Sequence, residues 1–87
     1  MAAIARLNDP SDHGGYIKTA TGGATADGIE IAVEGDIHHC PISGHGDTSL
    51  TAITTETIAN GKKIITVGAT AGCGAKINGG SPTSTAI

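Results

Sequence analysis

Six side chains of the types that bind transition metals are spread along this 87-residue chain. They are four imidazoles and two thiols: His13, His38, His39, Cys40, His45 and Cys73. Zinc takes four nitrogen or sulfur ligands in a tetrahedron, and a site closed by four protein ligands has a structural role. The chain has no CxxC pair, so spacing alone does not choose the four.

Three of these ligands lie next to glycine, where a chain can turn sharply. His13 is followed by two glycines, and His45 and Cys73 each stand between two glycines. Glycine also lets neighbouring segments approach closely. We therefore expect these three turns to converge on one point, with His13, His45 and Cys73 as ligands.

The fourth ligand falls in the segment 36–40. If that segment is extended, alternate side chains share a face, so His38 and Cys40 point to one side and His39 to the other. His39 is then left out, and alternation leaves His38 and Cys40 as alternatives. A disulfide between Cys40 and Cys73 is a competing use of the thiols. The first residues do not form a secretory signal, which predicts synthesis in a reducing cytoplasm where thiols stay available for metal.

The elements that position these residues are predicted to be short strands. Ile and Thr, with twelve copies each, are β-branched and favour strands, and fourteen glycines supply turns. Asp27-Gly28 predicts a turn before an alternating strand at 29–33. Asn60-Gly61 predicts a hairpin over 51–67.

A weak internal repeat connects the glycine turns. The segment 12–18 resembles 72–78, because each has a ligand, two small residues and then a short strand. A similar segment opens at 44–46. We predict one all-β domain, residues 1–87, of short strands and Gly-rich turns with pseudo-threefold repetition.

Composition excludes several kinds of function. The chain has no Phe or Trp and only one Tyr, so its core is thin and an enclosed catalytic pocket is not expected. A net charge of −3, with no basic cluster larger than Lys62-Lys63, argues against nucleic-acid binding. A structural metal would supply the stability that bulky packing does not. The alternatives are a free-standing zinc-stabilised binding module and a small metallohydrolase with Asp12 or Asp36 as base.

In order and spacing, the ligand segments resemble the PAAR-repeat family. The resemblance covers nearly the whole chain and is carried by these segments: Ala5–Asp9, Asp12–Gly15, Glu34–Pro41, His45-Gly46, Ile65–Gly68 and Gly72–Ala75. A literal Pro-Ala-Ala-Arg is missing, and Ala5-Arg6 and the segment 68–71 stand at the matching places.

The resemblance implies a cone-shaped domain with a structural Zn²⁺ near its apex. His13, His45 and Cys73 match family ligands, and His38 matches a histidine that some members carry two residues before the central cysteine. The implied set is therefore His13, His38, His45 and Cys73, with Cys40 as the alternative to His38.

The resemblance also implies a mechanical role without enzymatic activity. One copy would cap the blunt end of a trimeric β-helical spike, VgrG-like or from a phage tail, pierce the target membrane and optionally carry effectors. Made in the cytoplasm, it would leave the cell at the tip of the injection apparatus, or form a virion tail tip. Five residues are candidates for the base that meets the spike, with ordinary core packing as the alternative for each: Ile29, Ile31, Val33, Ile64 and Ile65.

Overall fold

The computed structural model describes residues 2–12, 14–41 and 46–87. Within these ranges the chain forms ten short strands and no helix, which agrees with the predicted all-β class. No helix able to cross a membrane is therefore found in the described part of the chain. The strands are β1 (Ala2–Ala3), β2 (Tyr16–Ile17), β3 (Thr25–Ala26), β4 (Ile29–Glu30), β5 (Ile37–Cys40), β6 (Gly46–Thr51), β7 (Ile58–Ala59), β8 (Lys62–Lys63), β9 (Thr70–Ala71) and β10 (Thr85–Ala86).

The described strands form four antiparallel groups. The largest is a four-stranded sheet in the order β2-β5-β6-β9, and the others are the pairs β3-β4, β7-β8 and β1-β10. Two of the pairs are tight hairpins at the predicted turns. Asp27-Gly28 and Asn60-Gly61 all have positive φ, from 53° to 79°, which a two-residue hairpin turn of this type requires.

The predicted hairpin over 51–67 is too long. Pairing around Asn60-Gly61 covers only Ile58–Lys63, while β6 ends at Thr51 and belongs to the other sheet. Threonine content predicts extended backbone over this region, but it does not fix which segment an extended chain pairs with.

The three strand pairs are equivalent members of a pseudo-threefold arrangement. In the third pair, β10 and β1 come from opposite ends of the chain, so the two termini meet where the other pairs have their turns. We call these pairs the base pairs. Each leads into a segment of the same kind, which gives three units: 24–50, 57–77, and 84–87 continued by 2–17.

A closed ring of backbone hydrogen bonds joins the three units. The Ala5 amide donates to the Ile65 carbonyl at 2.9 Å, Ile65 to Ala32 at 2.9 Å, and Ala32 back to Ala5 at 3.0 Å. We call these three residues the central ring. All three are fully buried. The cycle shows that the repetition is built into the backbone.

The central ring separates two hydrophobic clusters. Ala32 packs in one cluster while its neighbours Ile31 and Val33 pack in the other, because side chains alternate along an extended segment. The base pairs contribute Ala26, Ala59 and Ala86 to the second cluster. The cluster that contains Ala32 also contains the other two ring residues, together with side chains from the strands and turns on the side of the ring opposite the base pairs. The molecule, 33 × 23 × 20 Å, thus has a base end and a tip end.

The predicted repeat is confirmed, and its third copy is larger than expected. At the tip end the amides of Ile17, Leu50 and Ile77 occupy equivalent positions, each bonded to the carbonyl at the start of its own turn. Two of these turns are short. The third begins at Asp36 and ends at Leu50, with β5 and β6 between them, so it starts before the segment that was expected to open at 44–46.

Four of the five residues suggested for the base are core residues instead. Four of the five are at most 5% exposed, since the segments 31–33 and 64–65 pack both of their faces inside this one chain: Ile31, Val33, Ile64 and Ile65. Ile29 alone among the five is exposed, at 38%. Sequence alternation predicts two faces but does not show that both are covered.

Candidate metal centre

Strand β5 brings two of the predicted ligands to the inner face of the tip. His38 pairs with Thr48 and Cys40 pairs with Gly46 on β6. His38 is fully buried and Cys40 is 2% exposed, whereas His39 between them is half-buried and faces outward. The predicted alternation of this segment is therefore present in the structure.

His38 is held within the tip by the N-terminal unit. Its Nε2 lies 2.7 Å from the Ser11 hydroxyl oxygen, and Ser11 is itself buried. The ring packs on Gly15, where an added Cβ would come within 2.9 Å of it. Sequence reasoning did not find Ser11, because the contact depends on the register of strands that are distant along the chain.

Cys40 and Cys73 meet in the same region, and both are thiols. The thiol of Cys40 hydrogen-bonds to that of Cys73, whose sulfur also accepts from the Ala75 amide and lies near the Thr48 hydroxyl. Burial raises the pKa of Cys73, but these neighbours more than offset it and leave the pKa below its ordinary value. A lowered thiol pKa favours the thiolate, which is the form that binds metal.

The predicted ligands His13 and His45 lie outside the described residues. Their described neighbours, however, lie close to the cysteines. A Cβ added to Gly14 would lie 4.0 Å from the Cγ of Pro41, and Gly46 is paired with Cys40 itself. Gly14 and Gly46, which follow the two histidines in sequence, therefore both lie near the end of β5.

Within the described ranges alone, no three His, Cys, Asp or Glu side chains are arranged to hold a metal ion. The donor chemistry nevertheless fits zinc. Two thiols in mutual contact, one of them with a lowered pKa, are available from separate segments. Two more imidazoles stand in sequence beside residues that border these thiols.

His39 lies on the opposite face of the sheet, in a polar surface cluster. Its Nδ1 is 2.8 Å from Asp47, whose other carboxylate oxygen is 2.7 Å from the Lys18 ammonium. The Tyr16 ring lies 5.3 Å from the imidazole, centroid to centroid. The Lys18 and His39 hydrogen bonds lower the pKa of Asp47, and Asp47 in turn raises the pKa of Lys18.

The two aspartates weighed as general bases have structural contacts. The buried Asp36 carboxylate accepts hydrogen bonds from the hydroxyls of Thr19 and Thr21 and from the Val33 and Thr21 amides. The Asp12 carboxylate accepts a hydrogen bond from the Lys76 amide, and the Asp12 amide donates one to the Lys76 carbonyl. Asp36 thus ties its turn to the segment 19–21 that follows the N-terminal unit, and Asp12 ties its turn to the unit 57–77.

Asp27 forms a second network of polar contacts, which lies at the base end of the molecule. Asp27 accepts hydrogen bonds from the hydroxyls of Ser81 and Thr83 and forms an ion pair with Arg6 at 3.4 Å. The two hydroxyls, followed by the Arg6 charge, lower the pKa of Asp27. The network fixes the C-terminal segment to the β3-β4 turn.

Comparison with protein families gives one finding that agrees with this geometry. A family model described as PAAR motif matches residues 7–79, which is most of the chain. A comparison with curated proteins gives no significant match.

Proposed function

This chain belongs to the PAAR-motif family, whose members are spike-tip proteins of type VI secretion and related systems, and we propose that it caps a trimeric β-helical spike. One copy would sit on the blunt end of a VgrG-like or phage tail spike. Its metal-stiffened tip would pierce the target membrane as the injection apparatus leaves the cell. Such proteins act structurally rather than as enzymes.

The threefold character of the base is the observation that carries this proposal. Each base pair has one exposed isoleucine on it or beside it: Ile29 is 38% exposed, Ile58 62% and Ile87 51%. The end of a trimeric β-helix presents three equal sets of open strand edges, which are prone to non-specific pairing unless covered. A single chain can cover all three only if it offers three similar surfaces. The three base pairs support this because their backbones repeat and each has an exposed isoleucine, although the isoleucines lie at different positions within the pairs.

The metal would provide rigidity at the opposite end. We propose that it is bound by His13, His45, Cys73 and one residue of β5, so that all three units are joined at the tip. Coordination of structural zinc can contribute about 10–16 kcal/mol to folding in small peptides. That contribution suits a chain without Phe or Trp, whose tip has few large side chains to pack.

Co-purification with a trimeric spike fragment tests the proposal. We expect one chain per trimer, with one zinc per chain measured in the same sample. Ile58→Asp and Ile29→Asp should abolish co-purification without lowering the thermal unfolding temperature, because both side chains are exposed. Tyr16→Ser is the matched control, since Tyr16 is an exposed large side chain at the tip.

Two outcomes would contradict the proposed docking. One is that the Ile58→Asp and Ile29→Asp variants co-purify with the spike as well as the wild-type chain does. The other is loss of binding in the Tyr16→Ser variant alone.

A further inference from the structure

We infer that an open cavity beside β1 and β10 is a pocket for one side chain of the spike. The side chain it fits is neutral and apolar except for a single hydrogen-bonding group, as in tyrosine. This inference rests on the proposed function and adds a specific contact to it. An unpaired hydroxyl, the lining of the cavity and a comparison of the three units support it.

The cavity lies between the third base pair and the connection from β6 to β7. Its volume is about 260 Å³, and its walls are formed by Ala2, Ala86, Ile87, Thr66 and the segment 53–55. An apolar cavity of about 150 Å³ already accepts benzene, so an aromatic ring has room here. Ile87 is one of the three exposed base isoleucines, and the cavity therefore borders the surface proposed to meet the spike.

The hydroxyl of Thr66 is buried without a partner. Thr66 is 1% exposed, and its Oγ1 has no hydrogen bond to any residue that the structure describes. The neighbouring Thr54 hydroxyl, by contrast, donates to the Ile64 carbonyl at 2.8 Å. A buried hydroxyl that is left unpaired is costly, because it loses its hydrogen bonds to water and gains none in return. The geometry of this wall therefore suits a ligand that supplies the missing hydrogen bond.

The pseudo-threefold repetition shows how this position differs from its two equivalents. Arg6, Val33 and Thr66 each follow a residue of the central ring directly, and each forms a β-bridge to the neighbouring unit. Val33 is fully buried in a hydrophobic cluster, and the Arg6 guanidinium is paired with Asp9 and Asp27. Thr66 instead lines the cavity. A threefold spike would therefore insert a side chain here from one of its three subunits.

The lining favours a neutral occupant. The described walls consist of alanine, isoleucine and threonine, so they offer apolar contact and hydroxyls but no charged side chain. A charged group would lose its hydration there without gaining an opposite charge. Tyrosine fits these walls, since its ring is apolar and its phenol can either donate to or accept from a hydroxyl. Tyrosine is also a frequent anchor residue at protein interfaces.

p-Cresol and toluene, the side-chain analogues of tyrosine and phenylalanine, test the pocket in the absence of the spike. In NMR titrations of the 87-residue chain, the shift changes should centre on the amides of Thr54, Thr66 and Ala86. Thr66→Val keeps the shape of the side chain and removes the hydroxyl. It should lower the affinity for p-cresol relative to toluene by about 2–10-fold, which is the contribution of one neutral hydrogen bond.

Thr54→Val is the matched control for the hydroxyl, because that hydroxyl is already paired. It should leave the ratio of the two affinities within about twofold of the wild-type ratio and lower the unfolding temperature by about 4–8 °C. Thr66→Val should not lower the unfolding temperature, since the hydroxyl that it removes has no partner in the described chain.

Thr66→Met fills the cavity, and Val33→Met makes the same change at the equivalent position in the core. Thr66→Met should stay within about 4 °C of the wild-type unfolding temperature. Val33→Met should lower it further than that, because extra atoms in a filled core force its neighbours apart. With the trimeric spike fragment, Thr66→Met should bind at least about 10-fold more weakly than the wild-type chain, as expected for the loss of an anchor side chain.

A folded Thr66→Met variant that binds the spike as tightly as the wild-type chain would overturn the inference and leave the proposed docking intact. A wild-type chain that does not bind the spike would overturn both. An unchanged affinity ratio in Thr66→Val would also overturn the inference, because the hydroxyl would then make no contact with the ligand. If Thr66→Met fails to fold, the affinity ratio and the spike affinity of Thr66→Val still decide.

Discussion

Moving one isoleucine around the central ring tests the pseudo-threefold core. Ile65 is fully buried, and its two equivalents in the ring are the equally buried Ala5 and Ala32. Ile65→Ala deletes three carbons and leaves the backbone ring intact. Such a truncation costs about 2–5 kcal/mol, here about 3 kcal/mol. In a domain of this size each 1 kcal/mol lowers the unfolding temperature by about 4–8 °C, which predicts a fall of about 12–24 °C.

The same carbons can be restored from a neighbouring unit. Ala5, Ala32 and Ile65 belong to one hydrophobic cluster, so their side chains border the same space. The double variants A32I/I65A and A5I/I65A should therefore regain at least half of the lost stability.

Thermal unfolding of the chain in buffer with added zinc, followed by far-ultraviolet circular dichroism, measures the effect. Ile29→Ala is the exposed control and should change stability by less than about 1 kcal/mol. If both double variants are as unstable as Ile65→Ala alone, the three ring positions do not share a core and the threefold reasoning is refuted.

Four further outcomes follow from the polar groups and from the close packing of Gly15. Asp36→Asn should lower the free energy of unfolding, measured in urea, by about 2 kcal/mol. The buried carboxylate accepts four hydrogen bonds, and the amide that replaces it would place an NH2 group against some of the same donors. Asp27 and Asp47 have folded pKa values below their ordinary 3.8. Their contribution is thus present above pH 3.8 and lost as the pH falls through the lowered values, so D27N/D47N should flatten the acid side of the stability profile. Gly15→Ala should unfold the tip, since its Cβ would overlap the His39 carbonyl oxygen, while His39→Ala should change stability by less than about 1 kcal/mol.

Local turn chemistry was the most predictable part of the fold. Asp27-Gly28 and Asn60-Gly61 specify tight hairpins because few residues other than Gly, Asn and Asp adopt positive φ easily. The third base pair has no such signal, since β10 and β1 are the two ends of the chain and no turn residues join them. The number of base pairs is therefore visible only in the folded chain.

The candidate ligands of the proposed metal site came from the same kind of local signal. Glycine-flanked turns point to His13, His45 and Cys73, and alternation removes His39. The choice between His38 and Cys40 depends on how β5 aligns with two distant turns and on what each side chain contacts there. Both depend on the register between strands, and the sequence of a single strand does not determine that register.

The central claim is that a bound metal holds the three tip turns together. Zinc content and amide hydrogen exchange, measured on the same purified 87-residue chain before and after chelation, test it most directly. We predict one zinc per chain, and after chelation a loss of protection at the tip amides of Ser11, Gly74 and Cys40, with the central ring amides exchanging last. A chain that contains no metal yet protects its tip amides fully would contradict the account.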